Sequence, residues 1–409
     1  NQGGSLSFGS LASATLGGLS GAQNLQLVNT TSAGVTLTVG GNNNSTTYSG
    51  VLSGTGGSLI KTGTGTLALS GANTYTGGTT INDGYLQLAA NNALAATGNV
   101  IVSATTAGGT ATFNVNGGMT QTIGALTLGG ASASHNNFSP GTGGTLTLGG
   151  NVTYDAANNP ASAIINGGTL ALGGTLTFNV GDSTTTTGGA PDLFIYSNIT
   201  GSGFGLIKTG AGIMELSGAN IYTGTTTVSA GTLKIANAIG LGTTAAGTTV
   251  ASGATLEIDD VAIGTEALTL NGMGVDSLGA LTGTGTSSLA GNITLASNAG
   301  IGGTGTLTLS GVLGESGGAR SLAKVGAGTL TLTGGNAFSG GTTINDGTLR
   351  LGPGGSLAAS GNIVVNAVAG AVATFDINVP SQTIGTLTLG GAASNSRANV
   401  NIALVNELK

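Results

Sequence analysis

The sequence predicts an all-β chain wound as a right-handed parallel β-helix, a solenoid of about 20 coils of about 20 residues each. Three observations carry that expectation. Short runs such as TLALSG, YLQLAA, ALTLGG, TLTLGG and TLALGG return along the chain, and each alternates apolar with polar or small residues, the period of a strand. No segment of about 11 residues or more carries a capped 3.6-residue apolar stripe, so helix should be nearly absent. The composition is also unusual: 5% of residues are charged and 81 of 409 are glycine, against about 25% and about 7% in ordinary soluble domains. With 39% hydrophobic residues the chain is too apolar for disorder and can bury a core.

The repeats set the architecture. LIKTGTGTLALSGANTYTGGTTINDGYLQL, from Leu59, returns as LIKTGAGIMELSGANIYTGTTTVSAGTLKI from Leu206 and as LAKVGAGTLTLTGGNAFSGGTTINDGTLRL from Leu322. Clear copies extend over 59–130, 206–258 and 322–391 of what reads as one continuous solenoid, 1–409. Lys61, Lys208 and Lys324 share one register but are 147 and 116 residues apart. Whole strand–turn units have therefore been gained or lost, which a stack tolerates and a closed globule does not. Too many similar strands are present for one sandwich, and propeller-blade signatures are missing. Stacking at about 4.8 Å per coil would give a rod on the order of 100 Å, with right-handed crossovers.

Each element then has a role. Leu67, Leu69, Leu146, Leu148, Leu307 and Leu309 should point inward, each burial contributing ~1.5–3 kcal/mol. Thr between them should point outward, and Gly, Asn, Asp and Ser suit the corners. Aromatics are 3% with no Trp, so the core is expected to be small and aliphatic. Asn73, Asn220 and Asn336 recur at one turn as candidates for inward amide ladders. Tyr75, Tyr222 and Phe338 follow two residues later and should pack over a corner. Lys61 and Asp83, like Lys324 and Asp346, are 22 residues apart, close to one coil, and read as exposed salt bridges worth about 0–1 kcal/mol. Ala230 takes the Asp place in the middle copy.

The segments Gly63–Leu88, Gly210–Ile235 and Gly326–Leu351 resemble the passenger-associated transport repeat, also called the autotransporter-associated β-strand repeat. Their pattern is close to G-x-G-x-L-x-L-x-G-x-N-x-Y/F-x-G-x-T-x-I-x-x-G-x-L-x-L. The middle copy departs most, with Met214 at the first Leu place and Val228-Ser229-Ala230-Gly231 for Ile-Asn-Asp-Gly. The resemblance implies a β-helical passenger segment of a larger secreted or cell-surface protein of a Gram-negative-type bacterium. Such proteins commonly end in an outer-membrane barrel, so this chain reads as a piece of stalk.

Chemistry is thin. There is no Cys, hence no disulfide framework or thiolate metal site. Net charge is −6 with few, scattered basic residues, which argues against nucleic acid or anionic membrane as partner. No run of about 20 apolar residues reads as a membrane-spanning helix. Acids concentrate only at Glu257, Asp259, Asp260 and Glu266. Paired carboxylates there would suit acid–base work or Ca²⁺, but a solvated turn is the expectation, with Lys234 in the neighbouring coil. His135, the single histidine, reads as exposed in a Ser/Asn loop. The G-x-G strings lack a following helix to hold phosphate. Catalytic, cofactor and metal sites are accordingly expected to be none, and the chain not to be an enzyme.

Outward Thr-x-Thr pairs, at Thr36/Thr38, Thr145/Thr147, Thr175/Thr177, Thr306/Thr308, Thr329/Thr331 and Thr386/Thr388, could bind ice or polysaccharide if stacked. Ala68, Ala125 and Ala171 would interrupt them. The expected function is a structural stalk serving adhesion or extracellular filament formation, with a Thr-faced polysaccharide- or ice-binding adhesin as the alternative. Weakly charged strands lack the usual guard against pairing, so end-to-end or lateral self-association is expected, with a host or surface ligand as the other possible partner.

Overall fold

The computed structural model describes residues 6–130, 135–139, 141–157, 161–183, 189–391 and 395–402. Among them the strands pair in parallel ladders, and no α-helix occurs; one 3₁₀ turn spans Val275–Ser277. Most strands have 2–6 residues, and Ile293–Gly303 is the longest, at 11. The chain is a parallel β-solenoid of about 16 turns rather than about 20. The difference comes from coil length. Leu67 lies 19 residues before its partner Leu86, whereas 30 residues separate Ala163 from Leu193. Corner insertions lengthen many turns while the strands keep register.

Two compact units are distinguished: Asn1–Leu206 with Gly212–Met214, and Ile207–Ala211 with Glu215–Lys409. In the first, one inward ladder runs Leu37, Leu59, Thr79, Val100, Leu126, Val152, Phe178. A second runs Leu67, Leu86, Phe113, Phe138, Ile165, Ile195, and a third Gln121, Leu146, Leu170, Ile199. In the second unit, Leu289, Leu309, Leu332, Leu351 and Ile377 stack on one face, and Leu233, Leu256, Leu281 and Ile301 on another. The six leucines expected inward are all buried. The reason is parity: strands such as Thr66–Leu69 and Thr145–Leu148 alternate half-exposed Thr or Ala with buried Leu, because side chains of a strand leave opposite faces in turn.

Two expectations about the core need correction. Phe113, Phe138, Phe178 and Phe375 are fully buried, as are Tyr154 and Tyr222, so most of the scarce aromatics are core residues, with Tyr85, Tyr196 and Phe204 left exposed. Phe113 and Phe138 pack with their rings tilted by 37° at a separation of 5.4 Å. The asparagines, though inward and buried, are staples to backbone and not amide ladders. Asn73 Oδ1 accepts from Leu52 N at 2.7 Å, one turn back, while its Nδ2 donates to Ala93 O at 2.6 Å, one turn on. Asn336 does the same with Leu313 N and Ser356 O, and Asn220 Nδ2 donates to Gly240 O. Tyr75 and Tyr222 close the corner with a 2.6 Å hydroxyl bond to Thr79 and Thr226, and Phe338 packs there without one.

Candidate functional site

The three repeat lysines are not on the surface. Lys61 is 1% exposed and Lys208 and Lys324 are 0% exposed, so the predicted exposed salt bridges with Asp83 and Asp346 do not form. Each ammonium instead sits in a nest of three backbone carbonyls. Lys61 Nζ donates to Thr62 O at 2.8 Å, Gly63 O at 2.7 Å and Asp83 O at 3.2 Å. Lys208 Nζ donates to Thr209, Gly210 and Ala230, and Lys324 Nζ to Val325, Gly326 and Asp346. Ala230 serves as well as an Asp because only the carbonyl is used. The Asp83 carboxylate turns away, Oδ2 accepting from the Thr105 and Thr106 hydroxyls. Burial lowers Lys61 and Lys324 to about 8, partly opposed by the nearby Asp83 and Asp346 charges. The ammonium therefore persists at neutral pH, and its three donors match three acceptors. These lysines are structural.

The acidic segment divides into three environments instead of one solvated turn. Glu257 and Asp259 lie on the outward face of strand Ala254–Asp259, and Glu257 pairs in register with Lys234 of the neighbouring coil. Lys234 Nζ lies 2.8 Å from Asp259 Oδ2 and 3.6 Å from Glu257 Oε1. Burial alone would raise the Asp259 carboxyl, but hydrogen bonds from Lys234 and Thr284 outweigh it and hold it low. Glu257, more deeply set, is raised by burial despite Lys234. Asp260 occupies the left-handed region at φ 52°, which Asp tolerates better than most residues. Its Oδ1 accepts from Thr286 N at 2.9 Å, closing the corner. Glu266 stands apart: it is 3% exposed, Oε1 accepts from the Thr248 hydroxyl at 2.7 Å, and Oε2 has no partner. Among the described residues, no group of three or more His, Asp or Glu is placed to hold a metal ion.

Burial raises the Glu266 carboxyl, with the Thr248 bond opposing. A raised carboxyl favours folding fully below the unfolded value, about 4.3, and loses that contribution as pH rises through the folded one. Glu266→Gln should therefore stabilise the protein by about 1 kcal/mol at pH 7, because the amide keeps an acceptor for Thr248 and takes away the buried charge. The gain should shrink toward pH 4. Urea midpoints of both proteins across pH 4–8 test this; an equal difference at both ends would show that ionisation is not its source.

The backbone at His135 is a strand, His135–Ser139, and not a loop; it pairs with Thr110–Asn114. The outward threonines stack in part. Thr286, Thr306 and Thr329 form one column, and Ser288, Thr308 and Thr331 the next. With about 4.8 Å between strands and about 6.8 Å between alternate residues, they make a flat hydroxyl array three turns deep. Arg350 and Asp376, paired at 2.6 Å, end the second column in the next two coils, while the first runs on through Thr348 and Thr374. In the first unit Thr120, Thr145 and Thr169 stack likewise, and Ala171 breaks the second column after Thr122 and Thr147.

Comparison with known proteins adds the family. Residues 59–88, 206–235 and 322–351 match the family model of the passenger-associated-transport-repeat. No curated protein and no solved structure matches the chain. The matched segments are the three that hold a buried lysine, its carbonyl nest, the stapling Asn and the corner ring. The chain is a parallel β-solenoid that carries three passenger-associated-transport-repeats.

Proposed function

We propose that this chain is a structural stalk of a secreted or cell-surface passenger, holding an adhesive or filament-forming surface away from the cell. The observation that supports it most is the in-register stacking of Leu, Val and Ile through successive coils of each unit. That is an extensible scaffold whose every coil supports its neighbours. The neighbouring acids fit the same reading, since Asp259 is occupied by Lys234 and Asp260 by a corner amide.

A scaffold so poor in charge should self-associate. Light scattering of the isolated chain across a hundredfold concentration range is expected to show growing particles, and cryo-electron microscopy to show stacked or laterally packed coils. A strictly monomeric protein over that range would remove filament formation and leave the stalk to act singly. A second reading, binding of ice or polysaccharide, is favoured by the hydroxyl array of Thr286, Thr306, Thr308, Thr329 and Thr331. Inhibition of ice recrystallisation that is lost in Thr308→Lys would support it; no inhibition would dispose of the ice reading.

A further inference from the structure

One stretch of the second unit departs from the plain repeat. Between strands Leu268–Gly272 and Leu281–Thr284 the chain makes an excursion around the 3₁₀ turn Val275–Ser277. Asp276 and Ser277 are consecutive non-glycine residues at φ 50° and 61°, a conformation costing roughly 1–2 kcal/mol per residue. The excursion is tied down by Thr255, whose hydroxyl accepts from Val275 N at 3.0 Å and donates to Gly279 O at 2.8 Å. It carries Leu278 outward, 61% exposed.

Beside it lies a groove of about 250 Å³, with Val275 and Leu278 as an apolar wall and Glu257, Thr282 and Thr284 among its other lining residues. Thr282 is 8% exposed and its Oγ1 has no hydrogen-bond partner. An unpaired buried hydroxyl costs ~1–3 kcal/mol, and a χ1 turn exchanges methyl and hydroxyl in the groove wall. Thr282 is the in-register neighbour of Glu257, so the two side chains stand about 4.8 Å apart, one strand spacing. Glu257 meets Lys234 only at 3.6 Å, and a carboxylate offers about four lone-pair sites.

We propose that this groove binds one neutral pyranose ring, its neighbouring hydroxyls shared between the Glu257 carboxylate and the Thr282 hydroxyl, its C–H face on Val275 and Leu278. The volume is below the roughly 300 Å³ at which sites for drug-sized ligands begin, so a single ring fits and an extended chain does not. A neutral diol uses free carboxylate lone pairs, whereas an amine would compete with Lys234 for the same acids. This site is separate from the stalk reading, which stands or falls by association and not by ligand.

Saturation-transfer NMR of the full chain with the methyl α-pyranosides of glucose, galactose and mannose tests it. At least one should receive saturation from the protein methyls. Glu257→Gln should weaken that binding roughly tenfold and Thr282→Val about threefold, the net worth of a charged and a neutral hydrogen bond. Thr282→Val keeps shape and strand propensity, so it should unfold no earlier than the parent. The proposal is overturned if no pyranoside binds, if both variants bind undiminished, if n-butylamine binds there and the sugars do not, or if Thr282→Val unfolds earlier, which would mean that the fold already satisfies the hydroxyl.

Discussion

Lys324→Met should destabilise the second unit by at least about 3 kcal/mol, a large effect for a residue whose in-register neighbours are the apolar Ile301 and Ile344. Replacing a buried ion pair by apolar groups is often harmless because both charges leave together. Here the partners cannot leave, since Val325 O, Gly326 O and Asp346 O are backbone. Methionine fills the methylene volume and supplies no donor, so one buried and two part-buried carbonyls lose their bonds, at up to ~1–3 kcal/mol each. Asp346→Ala should cost far less, as Ala230 already accepts from Lys208 in the middle copy. Urea unfolding gives the midpoints, and hydrogen exchange should locate the loss at the corners around Val325–Gly326 and Asp346–Gly347. Equal losses in the two variants would restore the carboxylate salt bridge as the operative contact.

The signal for this lysine was in the sequence as strand parity. In Leu59-Ile60-Lys61, Leu59 is inward, so Lys61 two residues on must be inward too. The 22-residue spacing to Asp83 correctly placed the two in adjacent coils, but spacing between side chains says nothing of backbone carbonyls, and those are the acceptors. Period and turn chemistry made the solenoid legible, down to the six leucines. Coil number was less so, because the corners of this chain absorb from a few to a dozen residues without disturbing the ladders, as the spans Leu67–Leu86 and Ala163–Leu193 show. The groove was illegible for a further reason. Glu257 was visible as an acid, but its pairing with Thr282 depends on strand register, and the Val275–Leu278 wall on two left-handed residues that carry no motif.

Gly347→Ala should be about as damaging as loss of the lysine, and for a connected reason. Gly347 sits at φ 63°, and a Cβ there would lie 2.4 Å from Gly328 O and 2.6 Å from Gly326 O. The left-handed conformation costs an alanine roughly 1–2 kcal/mol, and a clash against backbone adds the ~1–3 kcal/mol typical of overpacking. Gly326 O is also an acceptor of Lys324, so a Cβ that displaces it loosens the ammonium nest from the other side. Gly84 repeats the geometry in the first unit, its Cβ reaching 2.5 Å from Gly63 O, which accepts from Lys61. Two independent lesions would add; lesions sharing one carbonyl should not. The double variant Lys324→Met/Gly347→Ala is therefore expected to lose at least about 1 kcal/mol less than the sum of the single losses, within the coupling range of contacting residues. Strict additivity in urea would separate the corner from the lysine. A shortfall would make the glycine corner and the buried ammonium one device, used once in each repeat to lock a coil onto the next.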